Sequence, residues 1–319
     1  MKSSSLGKFA AAVALTLAFM TGCTPEASST NSAPKSTVTL KANVYPAPKR
    51  VVAFGDVHGD LGAAQRALKL AGAIDDAGAW IGGDLFVVQV GDQLDRGNDD
   101  RKVLDYFEML VSDAKSKGGT FLVINGNHEL MNVSLDFRFV SPDGLSAFAD
   151  IAAPPGVEVN KLPAEQRGRA AAMAPGGTYA QKLAERSFYA VVGNTVFVHG
   201  GILPKHIQYG LEKLDDEMRA WLLGKTRTPP EALVADDGPV WTRLYSENVT
   251  DEACKTLGQV LDTLGMKRMV MGHTVQKKGI TIGCDGKAIR TDTGMSRGYH
   301  SGPIQVVDIQ GDDVKILKE

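Results

Sequence analysis

Five short motifs constrain this chain more than any other feature: Gly55-Asp56-Val57-His58-Gly59, Gly91-Asp92, Gly126-Asn127-His128-Glu129, His199-Gly200-Gly201 and Gly272-His273-Thr274. Each follows an apolar, β-prone run, at residues 51–54, 85–90, 121–124, 195–198 and 269–271. Residues 61–71 lie between the first two runs and have helical spacing, as do Val103, Phe107 and Leu110 between the second and third. This alternation predicts a βαβαβ unit with parallel strands and right-handed crossovers. Each motif then falls at the carboxyl end of a strand, where open α/β sheets place their ligands. Two aspartates, an asparagine and four of the chain's six histidines would meet there, an inventory suited to two metal ions.

The second motif continues as Gly91-Asp92-Gln93-Leu94-Asp95-Arg96-Gly97, and the third ends in Glu129. Three further stretches stand out: Gly176-Gly177-Thr178, His199 through His206, and Gly238-Pro239-Val240-Trp241-Thr242-Arg243. In this order the motifs resemble the calcineurin-like metallophosphoesterases, phosphoprotein phosphatase branch, and within it the Shewanella-like protein phosphatases. The resemblance spans residues 50–308. It implies an αββα sandwich, with two mixed β-sheets face to face and helices outside.

Phosphoester hydrolysis needs a nucleophilic hydroxide, neutralised phosphoryl oxygens and a proton for the leaving oxygen. Two divalent ions about 3.5–4 Å apart supply the first two needs. The resemblance implies that Asp92 bridges the ions and that the hydroxide between them attacks phosphorus directly. Asp56 and His58 complete one metal site, and Asn127, His199 and His273 the other. The mixed oxygen and nitrogen set suits manganese, iron or zinc over magnesium or calcium. His128 is the expected general acid, with Asp95 fixing its tautomer. Arg96 and Arg243, joined by Asn127, are the expected phosphate ligands, because a guanidinium fork matches two phosphoryl oxygens. Glu129 is expected to support its loop from behind. Asp292 either supports a ligand histidine or closes a β-turn, and His206 and His300 match no ligand position.

The remaining sequence bounds the setting. Of 319 residues 43% are hydrophobic, and 35 basic against 37 acidic residues give a net charge of −2. No basic run offers a face to nucleic acid. Lys2 and Lys8 precede an apolar stretch, residues 9–20, too short for a membrane span and fitting a signal peptide. Met20-Thr21-Gly22-Cys23 resembles a bacterial lipobox, which makes Cys23 the lipidated residue; the plain alternative is a secretory signal with a chance cysteine. Loss of residues 1–22 removes two lysines and no acids, moving the charge from −2 to −4. Thr24 after the cysteine favours the outer membrane, so the expectation is a periplasm-facing, lipid-anchored monomer. Residues 23–48, rich in Ser, Thr, Pro and Ala, read as a flexible tether, and residues 49–319 as the catalytic domain. Within it residues 131–190 break the rhythm and read as a mostly helical insertion, and residues 280–316 as closing hairpins. Cys254 and Cys284 form a disulfide or remain two buried thiols.

A protein phosphatase acting on phosphotyrosine, phosphoserine or phosphothreonine is the first expectation. A dinucleoside tetraphosphate hydrolase and a periplasmic phosphatase of small monoesters are the enzymatic alternatives. A non-catalytic, metal-stabilised binding lipoprotein is the alternative from outside enzymology.

Overall fold

The structure, a computed structural model, describes residues 38–319. The expected signal segment, Cys23 and residues 24–37 of the tether lie outside the described residues. β1 (Val44–Tyr45) is followed by β2 (Val51–Phe54), α1 (Leu61–Leu70), β3 (Phe86–Gln89), α2 (Asp100–Ser116) and β4 (Thr120–Val123). Then come α3 (Asn127–Val133), α4 (Pro142–Ser146), α5 (Arg167–Met173), α6 (Thr178–Ala184), β5 (Tyr189–Val192) and β6 (Thr195–Val198). Helices α7 (Pro204–Tyr209), α8 (Leu211–Leu222), α9 (Glu231–Val234) and α10 (Asp251–Leu264) precede β7 (Arg268–Met271). Two antiparallel hairpins close the chain, β8 (Thr281–Gly283) with β9 (Ala288–Arg290) and β10 (Gln305–Gln310) with β11 (Asp313–Lys318).

β2, β3 and β4 pair in parallel, Val52 opposite Val87 and Val88 opposite Leu122, which is the expected βαβαβ unit. β10 and β11 extend it antiparallel into a sheet ordered β11-β10-β2-β3-β4. The second sheet, β1-β5-β6-β7-β9-β8, is also mixed.

Side chains alternate across each strand, and here both faces are apolar because both are covered. Val51, Ala53, Phe86 and Val88 face Ala190, Phe197, Val270 and Ile289 between the sheets. The alternate residues Val52, Phe54 and Val87 pack against Ala64 and Leu68 of α1 and Val103, Phe107 and Leu110 of α2. On the other side Val196, Val198, Met269 and Met271 pack with Leu214 and Met218 of α8 and Leu257, Val260 and Leu261 of α10. Each fully buried Val, Leu or Phe contributes about 1.5–3 kcal/mol, so the αββα sandwich is the arrangement that covers all four sheet faces.

The boundary expected at residue 48 lies earlier in the structure. Val44 and Tyr45 pair in parallel with Val191 and Val192, and the Val38 amide donates to Thr263 O at 2.9 Å. The Tyr45 ring meets Phe86 edge-on, 5.4 Å between centroids. Two β-prone residues among prolines and alanines are too few to read as a strand, yet they suffice to cover a sheet edge. The segment read as a helical insertion carries the end of α3 and the short helices α4, α5 and α6 separated by long irregular stretches, so it is less helical than expected, and its last residues belong to β5. Cys254 and Cys284 form a disulfide joining α10 to the turn between β8 and β9.

Candidate dimetal centre

All five motifs sit directly after strands, at β2, β3, β4, β6 and β7. The chain must turn sharply there. His58, Asp92, Asp95, Arg96 and His273 all adopt left-handed backbone conformations, with φ of 45°, 55°, 73°, 66° and 65°. Such conformations cost non-glycine residues about 1–3 kcal/mol each and persist only where the surroundings enforce them. The motif glycines permit the approach. A Cβ on Gly126 would collide with the Asp92 carboxylate, and one on Gly272 with that of Asp56.

The three candidate ligand histidines are held in one way. His58 Nδ1 donates to Leu94 O at 3.0 Å, His199 Nδ1 to Val90 O at 2.7 Å, and His273 Nε2 to Trp241 O at 2.8 Å. Each ring thereby turns its other nitrogen toward the carboxylate cluster. Burial, with His128 nearby, pushes His58 down to about 3, and burial with His199 nearby holds His273 well below the usual range. His199 differs: burial would lower it, but Asp92 raises it, Oδ2 lying 3.1 Å from His199 Nε2. Asn127 Oδ1 lies 3.0 Å from the same nitrogen.

Asp92 is the hub. Its Oδ2 is 3.9 Å from His58 Nε2 and 3.8 Å from His128 Nε2. Donor atoms of Asp92 with His58 and His128 cluster within 4.8 Å, as do those of Asp92 with His199 and His273. Asp56 joins the first group, its Oδ2 3.8 Å from His58 Nε2, and accepts the His273 amide at 3.1 Å. Burial would raise Asp92, but His199, His128 and His58 hold it well below the carboxylate range. Asp56 goes the other way: burial lifts it well above that range, and Asp292 and Asp92 add to the lift.

Asp292 caps its own turn, Oδ1 accepting from Gly294 N at 2.8 Å, and lies close to Asp56 and His199 without a hydrogen bond to a histidine among the described residues. Its buried Oδ2 has no hydrogen-bond partner among the described residues. Glu129 accepts from the amides of Asp92 at 2.9 Å, Gln93 at 2.8 Å and Gly126 at 2.7 Å, binding two motif loops together. Among the described residues none of Asp56, Asp92, Glu129 and Asp292 pairs with a lysine or arginine. Four buried carboxylates without a lysine or arginine partner, gathered beside buried imidazoles, fit divalent cations.

His128 is held differently. Its Nδ1 donates to Asp95 Oδ2 at 2.6 Å, a carboxylate in place of a carbonyl, and Nε2 faces Asp92. Burial would lower this imidazole, but Asp92 and Asp95 carry it above the ordinary value. The Arg96 guanidinium lies between Phe139, 4.5 Å from the ring centroid, and Tyr299, 4.0 Å. Tyr299 in turn meets His58 edge-on at 5.0 Å. Arg243 stands beside His273, its Nη1 3.4 Å from His273 O. A cavity of about 430 Å³ opens beside Arg96 and Arg297. His206, by contrast, is a structural residue: Nδ1 accepts the Leu203 amide at 3.0 Å and Nε2 donates to Asp237 O at 2.9 Å.

Sequence reasoning missed Arg169, Asn132 and Asp100, all buried around Asp95. An arginine in an Arg/Ala-rich helix 74 positions away carries no signal of that contact.

Residues 49–277 match the calcineurin-like phosphoesterase family. Shewanella-like protein phosphatase 2 of Arabidopsis thaliana is 40% identical over 300 residues, covering 84% of this chain and 77% of that protein. Shewanella-like protein phosphatase 1 of Plasmodium berghei is 27% identical over 275 residues, 84% of this chain and 73% of that one. The crystal structure of a cold-active protein tyrosine phosphatase from a psychrophilic Shewanella species superposes with a TM-score of 0.67 at 23% identity, covering 89% of this chain and 84% of that one. The motifs, the sandwich and the carboxylate–imidazole cluster thus agree with kinship across most of the chain, which belongs to the calcineurin-like phosphoesterases and is a hydrolase of phosphoesters.

Proposed function

We propose that the chain is a metal-dependent protein phosphatase in which Asp56, His58 and Asp92 hold one divalent ion and Asp92, Asn127, His199 and His273 a second. Asp92 carries the reading, as the carboxylate common to both donor groups. When bound, such ions acidify water and neutralise phosphoryl oxygens; manganese is proposed first, with iron or zinc next. Arg96 beside His58 and Arg243 beside His273 bracket the centre and are assigned to the phosphate together with Asn127. His128 then passes its Nε2 proton to the leaving oxygen, while Asp95 keeps Nδ1 protonated and the ring in place. The names of the relatives, two protein phosphatases and a protein tyrosine phosphatase, support phosphopeptides as substrates.

The test is hydrolysis of matched phosphotyrosine, phosphoserine and phosphothreonine peptides beside diadenosine tetraphosphate, with manganese supplied and Asp92→Asn as blank. Metal-dependent peptide turnover is expected, and its residue preference sets the substrate. Cleavage of the nucleotide alone would reassign the chain to nucleotide hydrolysis.

For the setting, we propose an envelope lipoprotein anchored through Cys23 and facing the periplasm, monomeric and held at the outer membrane. The Cys254–Cys284 disulfide supports an oxidising compartment. Full-length, lipid-labelled protein recovered without detergent in the soluble fraction would refute the anchor.

A further inference from the structure

The insertion sends one charged side chain into the core behind the catalytic pair. Arg169 of α5 has no exposed surface. Its Nη2 is 3.1 Å from Asp95 Oδ1 and 2.7 Å from Asp100 Oδ2, Nη1 donates to Gly144 O at 2.8 Å, and Nε donates to Asn132 Oδ1 at 2.7 Å. Phe148 covers the guanidinium, 5.2 Å from the ring centroid. A buried guanidinium is costly to desolvate unless its partners compensate, so a helix that only needed anchoring would be served as well by an apolar residue.

The partners show what the charge orients. Asn132 donates to Asp95 Oδ1 at 2.9 Å and to His128 O at 2.9 Å, and Asp100 Oδ1 accepts the Asp95 amide at 3.0 Å. Arg169 and Asn132 together occupy Asp95 Oδ1, which leaves Oδ2 for His128. We propose that Arg169 is the positioning residue that fixes the Asp95 carboxylate, and through it the His128 ring, so that the insertion is part of the catalytic apparatus. This rests on the assignment of His128 as general acid.

A proton donor matters most where the leaving oxygen is basic. Misalignment of His128 should therefore penalise a phosphoserine peptide and phenyl phosphate far more than p-nitrophenyl phosphate. Lysine offers one ammonium where the fork met two acids, an amide and a carbonyl, so Arg169→Lys keeps the charge and loses the geometry. In the full chain Arg169→Lys should lower kcat on the phosphoserine peptide at least about 10-fold more than kcat on p-nitrophenyl phosphate, with KM and metal content unchanged. Asn132→Ala, which removes the other support of Asp95 Oδ1, should give the same signature and serves if Arg169→Lys fails to fold. Placed on His128→Asn, either change should cost nothing further, since the residue it acts through is gone. Equal loss on all three esters, or an undiminished further loss on the His128→Asn background, would overturn the proposal and leave the phosphatase reading standing. A metal-loaded wild-type chain inert on every ester would remove both.

Discussion

A histidine whose second nitrogen donates to a backbone carbonyl is held neutral with a lone pair outward, whereas one that donates to a carboxylate is held ready to carry a proton. His58 and His273 are of the first kind and His128 of the second, whereas His199 is tied to Val90 O at one nitrogen and faces the Asp92 carboxylate, which raises it, at the other. His128→Asn should accordingly reduce kcat by about 10²–10⁴-fold with the metal-to-protein ratio unchanged; loss of the metals would show that His128 is a ligand. His206 makes a different prediction. Both its nitrogens are used in the neutral form, and burial lowers it from the ordinary 6.5 to about 4. The unfolded chain takes up a proton there first, so the contribution is complete above pH 6.5 and declines as the pH falls toward 4. It amounts to about 3 kcal/mol, and the acid-side slope in denaturation midpoint should be smaller in His206→Gln. The candidate ligands were legible because each stands beside glycine after an apolar run. Arg169 was not, since its meaning lies in a contact with Asp95 that no local pattern encodes.

Among the elements, legibility followed length and periodicity. β2, β6, α1 and α2 stood out because four apolar residues in a row, or apolar residues on one helical face, leave few alternatives. β5 was hidden at the end of the insertion, and β1 is two residues long. β1 nevertheless covers the edge of β5, and the segment before it is tied down where Glu212 Oε1 accepts the Lys41 amide at 2.5 Å and the Ala42 amide at 2.6 Å. A chain that begins at residue 49 should therefore be less stable than one that begins at residue 38, by about 2 kcal/mol if the burial of Tyr45 alone is lost. Urea midpoints of the two would decide it, and equal midpoints would return residues 38–48 to the tether.

At the scale of the molecule, the centre exists because two sheets end at one place. The Asp56 carboxylate and the His273 amide that it accepts are 217 residues apart. Spacing alone shows that ligands are available, whereas their convergence depends on which strands share which sheet. That convergence has an electrostatic consequence. In the metal-free protein burial raises Asp292 from 3.8 to about 6 and Glu129 from 4.5 to about 7. In metal-free protein the folded state then keeps protons that the unfolded chain releases above pH 3.8 and 4.5, so its stability falls as the pH rises through 6 and 7. Bound ions take over the role of those protons and compete with them, so their stabilisation grows across the same window. The difference in thermal midpoint with and without chelator should widen from about pH 5 to about pH 8. Asp292→Asn should narrow that widening, because it removes one of the charges the metal-free fold must otherwise neutralise with a proton. A difference that stays constant with pH would mean that the carboxylate cluster is not what the ions neutralise.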